Sequence, residues 1–424
     1  MRGFDHRTNQ GDGGVMKFSM VTIGFFLMIL FITHAFLVVS DCPSAVPEAY
    51  RHVVPGSVVA AYFGSWDKYG GRYRVEDIEP IAHLLTHVIY AFARPNAQTG
   101  ACELADVWAD LGANFEHRKK ISGNFAKLLD LKKKFPKLKI LLSVGGGTYS
   151  KALSEIAQKG KLPTLVASIM KLLDGYAYEY DHSKHGQSQT HWFDYKGLFD
   201  GIDLDWEWTT ATVPEDDVVA YHDLIKQLFH AMKKKSSQLI LTSAVQVNSK
   251  IIVSLRLASI APYVNWFHVM AYNYGGSGMS GVSMNAPICN NWSDYSIDGS
   301  LDTMMASGVS PAQMVLGIPL YGHVYDNTKP TMGSSFDKTE RTGAFRYDQI
   351  KDLYLNNPAC RSEWSVTSKV PYAYCPDDGI FVSYDDERSV KYKVSYARQK
   401  RLKGIFFWRL SGDDKDHSLV KAVA

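Results

Sequence analysis

The stretch "LFDGIDLDWEW", residues 198–208, sets four acidic side chains, Asp200, Asp203, Asp205 and Glu207, among large apolar ones. An ionised carboxylate is costly in an apolar interior unless it is paired, hydrogen-bonded or protonated. Side chains alternate across a strand, which sends Asp203, Asp205 and Glu207 to one face and Leu204 and Trp206 to the other. Like charges at that spacing cannot all ionise cheaply, so at least one keeps a proton near neutral pH. A carboxyl held protonated at the mouth of an aromatic pocket is what general-acid chemistry requires. The competing readings are a buried carboxylate network and a calcium site. A hard cation ordinarily draws its ligands from a flexible loop, which disfavours the second.

On either side of this stretch the chain repeats one rhythm. Apolar, β-branched runs occur at "VVAAYF" (58–63), "THVIYAF" (86–92), "LKILLSV" (138–144), "LILTSAV" (239–245), "WFHVMAY" (266–272), "QMVLGIPLY" (313–321) and "GIFFWRL" (404–410). Amphipathic stretches separate them. "ISGNFAKLLDLKKKF" is stopped by Pro136, and "PEDDVVAYHDLIKQLFHAMKKK" has acids at its start and lysines at its end, the order a helix dipole favours. With the acidic stretch this makes eight strands alternating with helices, which predicts an α/β fold, a parallel sheet covered by helices. Eight units favour a closed (β/α)8 TIM barrel over an open doubly wound sheet, and no G-x-G-x-x-G follows the first strand. In such a barrel the three acids point inward, with Glu207 at the C-terminal end where active sites form.

Two regions break the rhythm. Residues 179–197 are polar and read as a long solvated loop; His182, His185 and His191 within it have no second ligand set and are not taken as a metal site. Residues 322–384 hold short alternating segments and read as a small α+β insertion domain between strands seven and eight. The expected organisation is therefore an N-terminal lead and targeting segment (1–40), a linker (41–56), a barrel from 57–321 and 385–424, and the insertion (322–384).

Phe18–Val39 carries no charged residue and is long enough to span a bilayer. It reads as a secretory signal cleaved after Ser40 or as a retained membrane anchor, so the protein is expected to be secreted or anchored through residues 18–39. The five cysteines, Cys42, Cys102, Cys289, Cys360 and Cys375, leave at least one unpaired within the chain, and Cys360 with Cys375 is the expected disulfide. "NWS" at 291–293 is a possible glycosylation acceptor. A net charge of +3 and the lack of a basic run give no footprint for nucleic acid. Aromatic residues at 12% fit a large core or a stacking groove equally well.

"DGIDLDWE" resembles the D-x-x-D-x-D-x-E signature of the family 18 glycoside hydrolases, the chitinase family. From Val58 to the C-terminus further segments resemble that family in order: "LLSVGGG" its S-x-G-G motif, "VMAYN" its M-x-Y-D, and "GIPLYG" and "GIFFWRLSGDD" its last two strands. The insertion resembles the domain that deepens the cleft in one subgroup. The resemblance implies retaining hydrolysis of β-1,4-linked N-acetylglucosamine in chitin or chitooligosaccharides, with the substrate's own acetamido carbonyl as nucleophile. It implies Glu207 as acid and base, Asp205 orienting the acetamido group, Asp203 sharing a proton with Asp205, and Tyr272 holding the acetamido oxygen. Trp408 would floor the sugar, with Tyr62, Phe92, Met270 and Tyr321 lining the same pocket. Read from the residues alone, Tyr62, Phe92 and Met270 suit barrel packing as well as sugar contact, and Ser143, Gly145 and Gly146 suit close backbone approach beside strand four. Gly146, Asn273 and His323 complete the expected substrate contacts. No metal or cofactor is implied, the only membrane contact would be the N-terminal segment, and a monomer is expected.

Three positions depart from the family pattern. Asn273 stands where Asp is usual, His323 where Arg is usual, and Gly147 where many members carry Trp. An endo-acting enzyme trimming N-linked glycans, or a lectin that binds without cutting, would share much of this pattern, although a lectin of this kind usually lacks the terminal acid that Glu207 supplies.

Overall fold

The computed structural model describes residues 56–112, 121–175, 178–182, 187–191, 194–210, 212–275, 281–289, 295–326, 328–329 and 343–424. Eight strands form the barrel: β1 (Val58–Gly64), β2 (His87–Pro95), β3 (Lys139–Gly145), β4 (Gly201–Asp205), β5 (Ile240–Gln246), β6 (Trp266–Met270), β7 (Met314–Pro319) and β8 (Gly404–Trp408). Each pairs in parallel with the next, and β8 pairs with β1 to close the ring. The expected (β/α)8 barrel is therefore the fold. Its strands are buried on both faces because one face fills the barrel and the other lies under helices; every residue of β1, β4 and β7 is buried.

The helices form where sequence capping and charge order favour them. Glu215–Lys235 carries Glu215, Asp216 and Asp217 in its first turn and Lys233, Lys234 and Lys235 in its last, and buries Val218, Tyr221, Leu224, Ile225 and Leu228 on one face. Leu162–Asp174 ends on Gly175 in the left-handed conformation, φ 74°.

Between β7 and β8 lies a five-stranded antiparallel sheet in the order Gly343–Arg346, Tyr321–Tyr325, Ile380–Ser383, Val370–Cys375 and Arg361–Ser365. A short helical segment from Tyr347 to Leu355 accompanies it, giving the α+β character expected of the insertion. Val282, Met284, Tyr325, Val370 and Phe381 form its core. The Cys360–Cys375 disulfide ties its two outermost strands on that side. Cys102 is free and buried.

One expectation is corrected. The polar region before β4 contains a two-stranded antiparallel hairpin, Tyr178–His182 with Gln187–His191, rather than an unbroken loop. Its strands, YEYDH and QSQTH, hold no Val, Ile, Leu or Phe, so the usual strand signal is weak in the sequence. His185, the apolar run 18–39, Cys42 and the "NWS" acceptor lie outside the described residues. No helix among the described residues is long and apolar enough to cross a membrane.

Candidate active site

Strand β4 places Asp203 and Asp205 inside the barrel, 0% and 3% exposed, and Glu207 follows two residues past the strand's end. The neighbouring strands set Ser143 of β3 and Thr242 of β5 level with Asp203. Ser143 Oγ and Tyr62 Oη each donate to Asp203 Oδ2 at 2.8 Å, and Thr242 Oγ1 donates to Oδ1 at 2.6 Å. His268 Nδ1 lies 2.9 Å from the same Oδ1. Trp266 Nε1, a donor only, donates to His268 Nε2 at 2.9 Å, which leaves the ring proton on Nδ1, facing Asp203. Burial alone would raise Asp203, but His268, Thr242 and Tyr62 together hold its carboxyl below the usual carboxylate range.

Asp205 is the opposite case. Its Oδ1 is buried without a hydrogen-bond partner. Burial, then Glu207, then Asp203 push its carboxyl well above the ordinary value. Burial also raises Glu207, offset in part by a hydrogen bond from the Gly147 backbone. Donors occupy both oxygens of Asp203.

The loop carrying Glu207 is anchored from below. Its backbone N–H donates to Ser150 Oγ at 2.8 Å, and the Trp208 N–H donates to Gln246 Oε1 at 2.7 Å. Gly145 and Gly146 both have positive φ, 111° and 79°. A Cβ on Gly145 would collide with the Asp205 carbonyl oxygen, and one on Gly146 would lie 2.6 Å from the Phe92 ring. Gly146 N–H donates to that Asp205 oxygen at 2.7 Å. Both glycines thus allow β3 to approach the acidic strand, and Gly146 stands behind Phe92.

Of the other residues singled out in the sequence, Tyr62 is a donor to Asp203 with its ring packed edge-on to Trp408, 5.1 Å between centroids. Phe92 is stacked between Trp66 and Trp408, at 5.8 and 6.0 Å. Met270 and Trp408 are partly buried against the same cluster. Tyr272 is buried edge-on to Tyr321 at 6.0 Å; burial, then Tyr321, then Asp205 and Glu207 keep its phenol protonated.

Asn273, Tyr321 and His323 meet at one corner. Asn273 adopts φ 63°, a left-handed conformation that Asn tolerates better than most residues. Its Oδ1 accepts from Tyr321 Oη at 2.6 Å and lies 3.1 Å from His323 Nε2. Asn285 fixes the corner, accepting from the Asn273 N–H and donating to the Tyr321 carbonyl, both at 3.0 Å. Burial pushes His323 down to about 4, so its imidazole is neutral. Two of the three departures from the family pattern, Asn273 and His323, are therefore in contact, and together they form an uncharged pair. A cavity of about 440 Å3 opens here, lined by Asn273, Tyr321, Phe345, Arg346, Trp408 and Arg409 among others.

Sequence reasoning missed Thr242, Trp266 and His268 and gave Ser143 only a backbone role. The signal was present, since the alternation applied to β4 also turns His268 to the inner face of β6.

Residues 58–413 match the family described as glycosyl hydrolases family 18. Chitinase A1 of Niallia circulans is 28% identical over 416 residues, covering 84% of this chain and 56% of that protein. Probable chitinase 2 of Drosophila melanogaster is 29% identical over 382 residues, covering 84% and 72%. Among solved structures, chitinase ChiA74 from Bacillus thuringiensis superposes with a TM-score of 0.73 at 26% identity, covering 87% of this chain and 70% of that one. The Group IV chitinase of Ostrinia furnacalis gives 0.71 at 26%, covering 87% and 98%. The chain thus spans little more than half the length of the first of these relatives, and the match takes in all eight barrel strands, the insertion and the acidic row. It belongs to family 18 of the glycosyl hydrolases.

Proposed function

We propose that the protein is a chitinase that hydrolyses β-1,4 bonds between N-acetylglucosamine units with retention. The observation that carries this is the contrast along β4: Asp203 is served by four donors, while Asp205 has a buried oxygen with none. That oxygen suits a substrate N–H, and an acetamido group supplies one.

In this reading Glu207 gives its proton to the bridging oxygen as the C1–O bond breaks. The acetamido carbonyl oxygen bonds to C1 from the opposite face, forming an oxazolinium ion. Asp205 accepts the amide N–H and balances the positive charge, and Tyr272 donates to the acetamido oxygen and aligns it. Water then attacks C1, Glu207 takes its proton, and two inversions give net retention. Asp203, kept anionic by its donors, raises Asp205 and so keeps a proton available at the pair. Trp408 offers an aromatic face to the sugar. The apolar N-terminal run and the Cys360–Cys375 disulfide support entry into the secretory route.

Turnover on acetylated chitin oligomers, with the anomer of the fresh product read by NMR, tests this directly. Release of the β anomer is expected. Release of the α anomer, or binding without turnover, would refute the mechanism.

A further inference from the structure

We propose that Trp266 and His268 are positioning residues for the reaction: the indole N–H of Trp266 keeps a second proton off His268, so the ring binds Asp203 as a neutral donor and leaves the carboxylate charge uncancelled. The inference rests on the chitinase reading and adds to it the device that preserves the charge beside Asp205.

Trp266 and His268 stand two residues apart on β6, so both side chains turn into the barrel at successive levels. His268 is 0% exposed, and its two ring nitrogens face partners of opposite kind. Nδ1 lies 2.9 Å from Asp203 Oδ1, an acceptor, whereas Nε2 lies 2.9 Å from Trp266 Nε1, which can only donate. An imidazolium would set an Nε2–H against the indole N–H at that distance, two donors in contact in a buried site. Asp203 draws a second proton toward the ring, and the indole opposes it. Trp266 is itself held in place, buried edge-on to His87 with 5.1 Å between ring centroids.

The other groups that face His268 bring no competing charge. Tyr62 of β1 lies 3.4 Å from Nδ1, and burial, then Asp203 and Asp205, keep its phenol protonated. His87 of β2, on the far side of Trp266, is pushed down to about 4, chiefly by burial. Phe406 of β8 packs edge-on to the ring at 5.1 Å, and Thr242 of β5 shares Asp203 Oδ1 with it through a hydroxyl. These groups leave Asp203 as the charge that the ring meets. That charge matters because Asp203, after burial and Glu207, is a cause of the raised Asp205 carboxyl. Offsetting it would let the Asp205–Glu207 pair release its proton at lower pH, and the basic limb of the kcat/KM profile marks that release.

The first test reads the ring. In nitrogen NMR of protein labelled at histidine, the His268 signals are assigned by their loss in His268→Asn. They should show one protonated and one unprotonated nitrogen from about pH 5 to 8. Two protonated nitrogens in that range would overturn the proposal. The second test reads kcat/KM against pH on fully acetylated oligomers. Trp266→Phe removes the indole donor and lets the imidazolium form beside Asp203. It should move the basic limb down by about one pH unit, the scale of one close charge interaction inside a protein. In Trp266→Phe/His268→Asn the amide nitrogen takes the place of Nδ1 as donor and cannot be charged, so the limb should return to its wild-type position. A limb unmoved by Trp266→Phe, or lowered equally in both variants, would show that the indole has only a packing role and would end the proposal. If Trp266→Phe does not fold, the state of the ring in the wild type decides the matter alone. No cleavage of acetylated oligomers by the wild type would overturn the chitinase reading, which the ring measurement does not touch.

Discussion

Deep in the barrel one carboxylate is surrounded by four donors, whereas at the rim the Asn273–His323 corner carries no charge. Asp203 is fully buried and stays anionic because strands β1, β3, β5 and β6 each send it a hydrogen bond. At the corner, a carboxylate and an arginine would face each other across the 3.1 Å that separates Asn273 from His323, and this chain has neither. The comparison shows two answers to the same cost of burying ions. The Asp203 charge is kept and supplied with donors; the Asn273–His323 corner carries no charge and needs none.

The largest effect is expected at the mouth of this arrangement. Glu207→Gln removes the transferable proton and should lower kcat by about 10²–10⁴-fold while oligomers still bind; retained turnover would show that another group is the acid. Inside, Asp203→Asn takes away the charge that raises Asp205 and sets an amide against the His268 N–H. A fall in kcat of about 100-fold is expected with a lowered melting temperature, since a mismatched buried polar group costs about 1–3 kcal/mol. Equal melting curves would mean that the donors reorient freely and that the network is not a rigid cradle.

Much of this contrast was legible in the sequence, but not its partners. The eight strands, the insertion, the Cys360–Cys375 pair and the acidic row follow from periodicity and spacing. Ser143, Thr242 and His268 were missed as partners of Asp203 because alternation fixes which face a side chain takes, not its level in the barrel. That level depends on the stagger between strands, which no single strand records. The Asn273–His323 contact joins residues from β6's end and the insertion sheet, 50 positions apart, and no local rule pairs them. The hairpin at Tyr178–His191 escaped because neither of its strands holds a Val, Ile, Leu or Phe.

The corner can be recharged, with a smaller effect. In the wild type His323 is driven below its unfolded value to about 4, so the unfolded chain binds the extra proton between roughly pH 6.5 and 4, and stability falls as pH drops through that window. Asn273→Asp sets a carboxylate beside Nε2 and should raise His323. The variant then recovers stability at low pH and loses it as pH rises through the new value. Melting temperature against pH for the two proteins isolates the pair, because the other acids are common to both. The pH optimum for turnover should shift as well, and superimposable profiles would show that the corner is electrically silent.

The smallest change tests whether the rim has room for the platform that many family members carry. A Cβ on Gly147 would lie 3.3 Å from Glu207 Oε1, tighter than most such contacts, so a side chain there must displace the carboxyl by a few tenths of an ångström. The Gly147 backbone also hydrogen-bonds Glu207, so the same peptide that would carry the new ring positions the acid. Gly147→Trp should therefore lower KM on oligomers by up to about fivefold, the worth of a stacking contact near 1 kcal/mol, while kcat falls because Glu207 is moved. A gain in KM with kcat untouched would mean that the loop yields and the acid does not. No change in either would mean that Trp66 already serves the sugar beyond the cut, since Trp208 is buried with its indole donating to Asp217, and that the glycine is simply what the close approach to Glu207 requires.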